Sequence, residues 1–186
     1  MSVARPIGVS HADTPRRLED VPAPLAVRPF TALELEEAWS DWSCYSPVLA
    51  DVMLVLARTG LRWSEARAIT VADADPEEIV VDKASGERSG LHALPPERVR
   101  HVPVSPRVRP IMRRIVAGRD ADELLFTTSF GTPLNRAIVL RRLNWPVTGR
   151  GRHLPDLRHT AAYLWLQEGV SPGTVRSWMG PTRLAG

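Results

Sequence analysis

The stretch from Ser46 to Gly60 constrains the fold more than any other part of the chain. Ser46-Pro47 is a helix start, with Ser as N-cap and Pro at the first helical position, where its missing N–H has no partner to lose. From Val48 to Ala57 every residue except Asp51 is apolar, and the run stops at Gly60. A helix apolar on nearly all sides has to lie in the core.

Further helix signals flank it. Thr31-Ala-Leu-Glu34 is a capping box, in which hydroxyl and carboxylate each satisfy an orphan backbone N–H, and Leu33, Leu35, Ala38 and Trp39 then form an apolar face. Ser64 as N-cap predicts a third helix over Glu65–Ile69, with Leu61 and Trp63 beside its start. Ile79–Val81 and Arg100–Val104 read as two strands of a small sheet, separated by a long loop rich in Gly, Ser and Pro. Arginines interleaved with Val108, Ile111, Met112 and Ile115 predict a basic amphipathic helix over Pro106–Val116, and Thr132–Leu143 is a weaker version. Asp156 starts a helix through Gln167, ended by Gly169, and Ser171-Pro172 starts a last one that stops at Gly180.

With 186 residues, 44% hydrophobic and 24% charged, the chain has the composition of one globular domain. Residues 1–29 hold five prolines and little apolar periodicity, so they read as a tail or linker ahead of a domain over 30–186. No run of about 18 apolar residues is present to span a membrane, and no apolar stretch follows Met1 as in a signal peptide, so a cytoplasmic protein is expected. Cys44 is the only cysteine, which excludes an internal disulfide and a cysteine-based metal site.

Charge is unevenly distributed. Residues 1–97 carry nine basic and sixteen acidic side chains, whereas 98–186 carry fifteen basic and five acidic. The second half therefore reads as an anion-facing surface, for which nucleic acid is the commonest large partner, or else as a solvated basic face. All the basic residues are arginines except Lys83.

Two of those arginines stand in unusual places. Arg62 precedes a helix start in Thr59-Gly-Leu-Arg-Trp-Ser-Glu65, and Arg158 lies in the first turn of the helix begun by Asp156. The positive end of a helix dipole disfavours a cation there. An anion between the two arginines would account for both, since backbone N–H groups and guanidinium forks would converge on one phosphate. The alternative is local pairing, Arg62 with Glu65 and Arg158 with Asp156.

Those segments, followed in order by Arg100-His-Val-Pro-Val104, Asp156-Leu-Arg-His-Thr-Ala-Ala162, Gly169-Val-Ser-Pro172 and Trp178-Met-Gly180, resemble the catalytic domain of tyrosine recombinases, the phage integrase family. The resemblance runs from about Phe30 to Gly180. It implies an α+β, mostly helical fold with a small antiparallel β-sheet, and DNA integration through a covalent phosphotyrosyl intermediate with no metal and no small-molecule cofactor. It also implies double-stranded DNA as partner, with intact recombinase subunits as a second expected partner. Arg62 and Arg158 correspond to the two phosphate-clamping arginines, whose donors would stabilise charge that grows in the transition state. The family's general-acid lysine lies on the hairpin, and Lys83 is the one candidate; it sits farther from Val102-Pro103 than the family pattern has it, which leaves a solvated strand-end role open. Arg100 and His159 are further candidate contacts to DNA phosphate, with packing or helix capping as the other reading of His159.

The pattern also departs from the family. Pro155 stands where a pocket histidine belongs, His153 is offset from that place, and Pro181 replaces a second histidine after Met179-Gly180. No tyrosine follows Gly180, and neither Tyr45 nor Tyr163 occupies the nucleophile's place. The expectation is therefore an integrase-like chain that does not cleave strands alone, against two alternatives: a DNA-binding or regulatory module competing with an intact recombinase, or a remnant without function.

Overall fold

The computed structural model describes residues 27–181. Most of the expected tail, residues 1–26, lies outside the described residues, as do 182–186.

Helix α1 (Ala32–Tyr45) starts at the expected capping box, with the Glu34 N–H donating to Thr31 Oγ1 and the Thr31 N–H to the Glu34 carboxylate. The Thr31 N–H bond, followed by one from Arg152, holds the Glu34 carboxyl at about 2. Ser46 ends α1 and precedes α2 (Pro47–Thr59), although its hydroxyl makes no cap bond there. As its sequence requires, α2 is buried along nearly its whole length and packs against both α1 and the later α7. Aromatic rings close the α1 side: Trp42 stacks on Trp145 at 5.4 Å and receives Phe30 edge-on at 6.0 Å. The Phe30 N–H donates to Thr160 Oγ1, while the Arg28 and Pro29 carbonyls accept from Arg152.

After α2 the third helix is shorter and earlier than expected. It is α3 (Trp63–Ala66), capped by Arg62 rather than Ser64, because the Glu65 carboxylate reaches back 2.7 Å to the Arg62 N–H. The two expected strands are β1 (Glu78–Val81) and β4 (Arg100–Pro103), paired antiparallel with Ile79 opposite Val102. The loop between them carries a second antiparallel hairpin, β2 (Lys83–Gly86) with β3 (Gly90–Ala93), in the register Lys83 to Ala93 and Ala84 to His92. β3 is exposed throughout, so no apolar alternation marks it in the sequence.

The remaining helices are α4 (Arg109–Val116), α5 (Arg136–Arg142), α6 (Trp145–Thr148), α7 (Asp156–Gln167) and α8 (Pro172–Met179). Asn135 caps α5 and Ser171 caps α8 through side-chain oxygens. The result is a mostly helical α+β fold with small antiparallel sheets. β2 packs on α3 and β4 on α8, which brings the hairpin, the turn after α2 and the end of α8 to one end of α7. Among the described residues no helix is long and apolar enough to cross a membrane.

Candidate functional site

The site begins with a sharp turn. Gly60 ends α2 at φ +63°, a left-handed conformation that a side chain makes costly, and a Cβ there would lie 3.0 Å from Met179 Sδ and 3.2 Å from Ala161 Cβ. The turn buries Leu61 and sets Arg62 at the head of α3. From the first turn of α7, Arg158 donates to the Gly60 carbonyl and to that of Met179. The same glycine that ends the core helix therefore fixes the second arginine beside the first.

Glu65 anchors this arrangement at 1% exposure. Its carboxylate accepts from Arg62 Nη1 at 2.8 Å and from Arg100 Nη1 and Nη2 at 3.0 and 2.7 Å. Burial alone would raise this carboxyl, but the bonds and charge of Arg100, then of Arg62, hold it below the ordinary carboxylate range. Arg62 meets the local partner its sequence allowed. Arg158 does not, because the Asp156 carboxylate accepts the His153 N–H at 2.7 Å. Burial lowers Arg158 to about 10, with the charge of Arg62 as the next cause, so it stays protonated at neutral pH. Two like charges are thus held close together, and among the described residues Arg158 has no carboxylate partner.

Both arginines line a cavity of about 490 Å³ whose wall also includes Glu65, His92, Arg98 and His159. Pro155 and Met179 complete part of the rim. A smaller apolar slot of about 290 Å³, walled by Leu56, Leu61, Trp63 and Leu157, adjoins it and shares Arg62 and Arg158. A groove of about 510 Å³ elsewhere, along α2 and α4, has none of the expected site residues in its wall.

Of the five residues singled out in the sequence, the structure brings Arg62, Arg158 and His159 to this cavity. Arg100 is adjacent but 7% exposed, and its guanidinium donates through Nε, Nη1 and Nη2 to the Trp178 carbonyl, at 2.7 Å, and to Glu65. Lys83 lies outside the wall, with Nζ 2.7 Å from the Asp73 carboxylate. Its neighbour Ala84 lines the cavity, and successive strand residues face opposite sides. Sequence reasoning missed His92 and Arg98. The signal for His92 was its register opposite Ala84, legible only once the hairpin is recognised.

The phage integrase family model matches residues 32–185. The chain belongs to the phage integrase family. Among solved structures, that of the Tn1549 transposon integrase in complex with circular intermediate DNA superposes with a TM-score of 0.70 at 21% identity, covering 88% of this chain and 60% of that one. XerA recombinase gives 0.63 at 18%, with 86% and 57% covered. The lambda integrase bound to DNA gives 0.58 at 14%, with 84% and 57% covered. This chain therefore spans about three fifths of the integrase and recombinase chains it resembles. No curated protein matches it. Within this integrase-family fold the departures noted in the sequence fall at the cavity itself, since Pro155 and the Met179 end of α8 stand on its rim.

Proposed function

We propose that this integrase-family domain acts in DNA integration or site-specific recombination by holding duplex DNA, with one backbone phosphate gripped by Arg62 and Arg158. One observation carries the reading: two guanidiniums share one cavity, and Arg158, lowered by burial and by its neighbour's charge, has no carboxylate partner among the described residues. An anion relieves such a cluster, and guanidinium forks match phosphate geometry. Two donors of Arg158 go to the Gly60 and Met179 carbonyls, and two of Arg62 to Glu65 and the Pro181 carbonyl, which leaves three N–H groups on each guanidinium for phosphate oxygens. The solved complexes of the Tn1549 and lambda integrases with DNA support the choice of partner.

Arg100 belongs to this reading as a positioning residue: by holding Glu65 it orients Arg62 instead of meeting DNA itself. A non-catalytic role as a DNA-binding module alongside an intact recombinase is the second reading. It is favoured by the tyrosines, because among the described residues neither Tyr45, paired with Asn144, nor Tyr163, packed on the core, lines the cavity. A strand-cleaving reaction would need its nucleophile from elsewhere.

The test is duplex binding measured by fluorescence anisotropy over a salt series. Arg158→Ala should weaken binding equally for unrelated sequences and reduce the slope of log K against log salt by about 1. An unchanged slope would remove the phosphate grip. A covalent adduct formed on nicked duplex would remove the non-catalytic reading and leave the grip intact.

A further inference from the structure

We propose that His92 and Arg98 complete the phosphate site from the β-hairpin side, in place of the Lys83 and Arg100 that the sequence singled out. The inference rests on the reading of Arg62 and Arg158 as a phosphate grip.

Strand parity makes the first selection. Ala84 pairs with His92 and Lys83 with Ala93, so one face of the hairpin presents Ala84 and His92 while the other presents Lys83 and Ala93. Ala84 and His92 both line the arginine cavity. Lys83 turns away, held 2.7 Å from Asp73 with Asp82 at 3.9 Å. Bringing it to the cavity would require a half-turn of the strand and would leave the half-buried Asp73 carboxylate without its cation.

Pairing makes the second selection. Arg100 is buried and already paired with Glu65, with its Nε on the Trp178 carbonyl. Arg98 lies two residues earlier, in the short turn Pro96–Arg98, and among the described residues its guanidinium has neither an ion pair nor a hydrogen bond. Two prolines lead into that turn and fix its φ angles, which limits the freedom Arg98 loses on binding. Among the described residues the His92 ring makes only a long 3.4 Å contact, to the Gly90 carbonyl, and stays exposed.

The cavity's own charge supplies the ligand class. The groups facing His92 are Arg62 and Glu65 from α3, Arg98 from the turn, and Arg158 and His159 from α7, while β2 contributes the uncharged Ala84. Glu65 is the one carboxylate among them, and two arginines already hold it. Three guanidiniums and two imidazoles around a neutralised carboxylate fit a phosphodiester.

Salt-series binding to duplex DNA tests this with the full chain. Arg98→Ala should lower the slope of log K against log salt by about 1. His92→Gln should weaken binding about equally for unrelated duplex sequences, as expected of a phosphate contact. Both positions are solvent-accessible, so melting temperatures near that of the unmodified chain should confirm that the variants fold. A normal slope for Arg98→Ala with unchanged duplex binding by His92→Gln would overturn the inference, as would a Lys83→Ala variant that loses the slope in their stead. Arg158→Ala, measured in parallel, identifies which reading failed: a reduced slope there leaves the grip standing and rejects only its hairpin side, and an unchanged slope rejects both.

Discussion

Glu65 carries two guanidiniums at a position 1% exposed, with Arg62 at 2.8 Å and Arg100 at 2.7 Å. Removing one partner of such a cluster leaves uncompensated buried charge, which is costlier than the pair's net contribution is favourable. Glu65→Ala should therefore lower unfolding stability by about 3–5 kcal/mol, read from urea denaturation. The pH dependence has a definite sign. Because the folded carboxyl lies below its ordinary value of 4.5, its contribution is complete above that value and is lost as pH falls through the folded one, so Glu65→Ala should flatten the acid limb of the stability curve. At this scale the sequence revealed Arg62 and Arg158 because a cation at a helix start is locally anomalous. It could not place Lys83 or Arg100, whose partners Asp73 and Glu65 are 10 and 35 residues away.

Element scale links the core to the site through the end of α2. Gly60 at φ +63° lets that helix stop, and its carbonyl accepts from Arg158. Gly60→Ala should cost about 1–2 kcal/mol from the left-handed backbone alone, and more because its methyl would press on Met179 Sδ at 3.0 Å. A lower urea midpoint with an unchanged m-value is the expected result; weaker duplex binding should accompany it, since the turn also sets Arg158. Helices with explicit start signals were legible: the capping box of α1, the proline at the head of α2, and the Ser171 cap of α8 all appear as read. What was not legible had no local signature. Lys83–Gly86 and Gly90–Ala93 contain little apolar alternation because the hairpin is largely solvent-facing, and α3 is a single turn whose start is set by the Glu65 side chain.

Over the whole molecule, the fold cancels much of the charge asymmetry that the sequence displays. Arg100, Arg107, Arg109, Arg114, Arg150 and Arg152, all from the basic half, pair with carboxylates of the acidic half, four of them on α1 or α2. Counting basic residues along the chain therefore overstates the surface offered to an anion; among the described residues, Arg98 and Arg158 at the cavity are left without a carboxylate partner. The two classes should separate in one experiment. Arg150 bridges Glu37 and Asp41 with 32% of its side chain exposed. Such a surface pair contributes about 0–1 kcal/mol. Arg150→Gln should thus change stability by less than about 1 kcal/mol and leave the salt slope of duplex binding unchanged, in contrast to Arg158→Ala. If Arg150→Gln instead lowers that slope by about 1, the α1 side of the domain also meets phosphate, and the DNA-facing surface extends beyond the cavity at the end of α7.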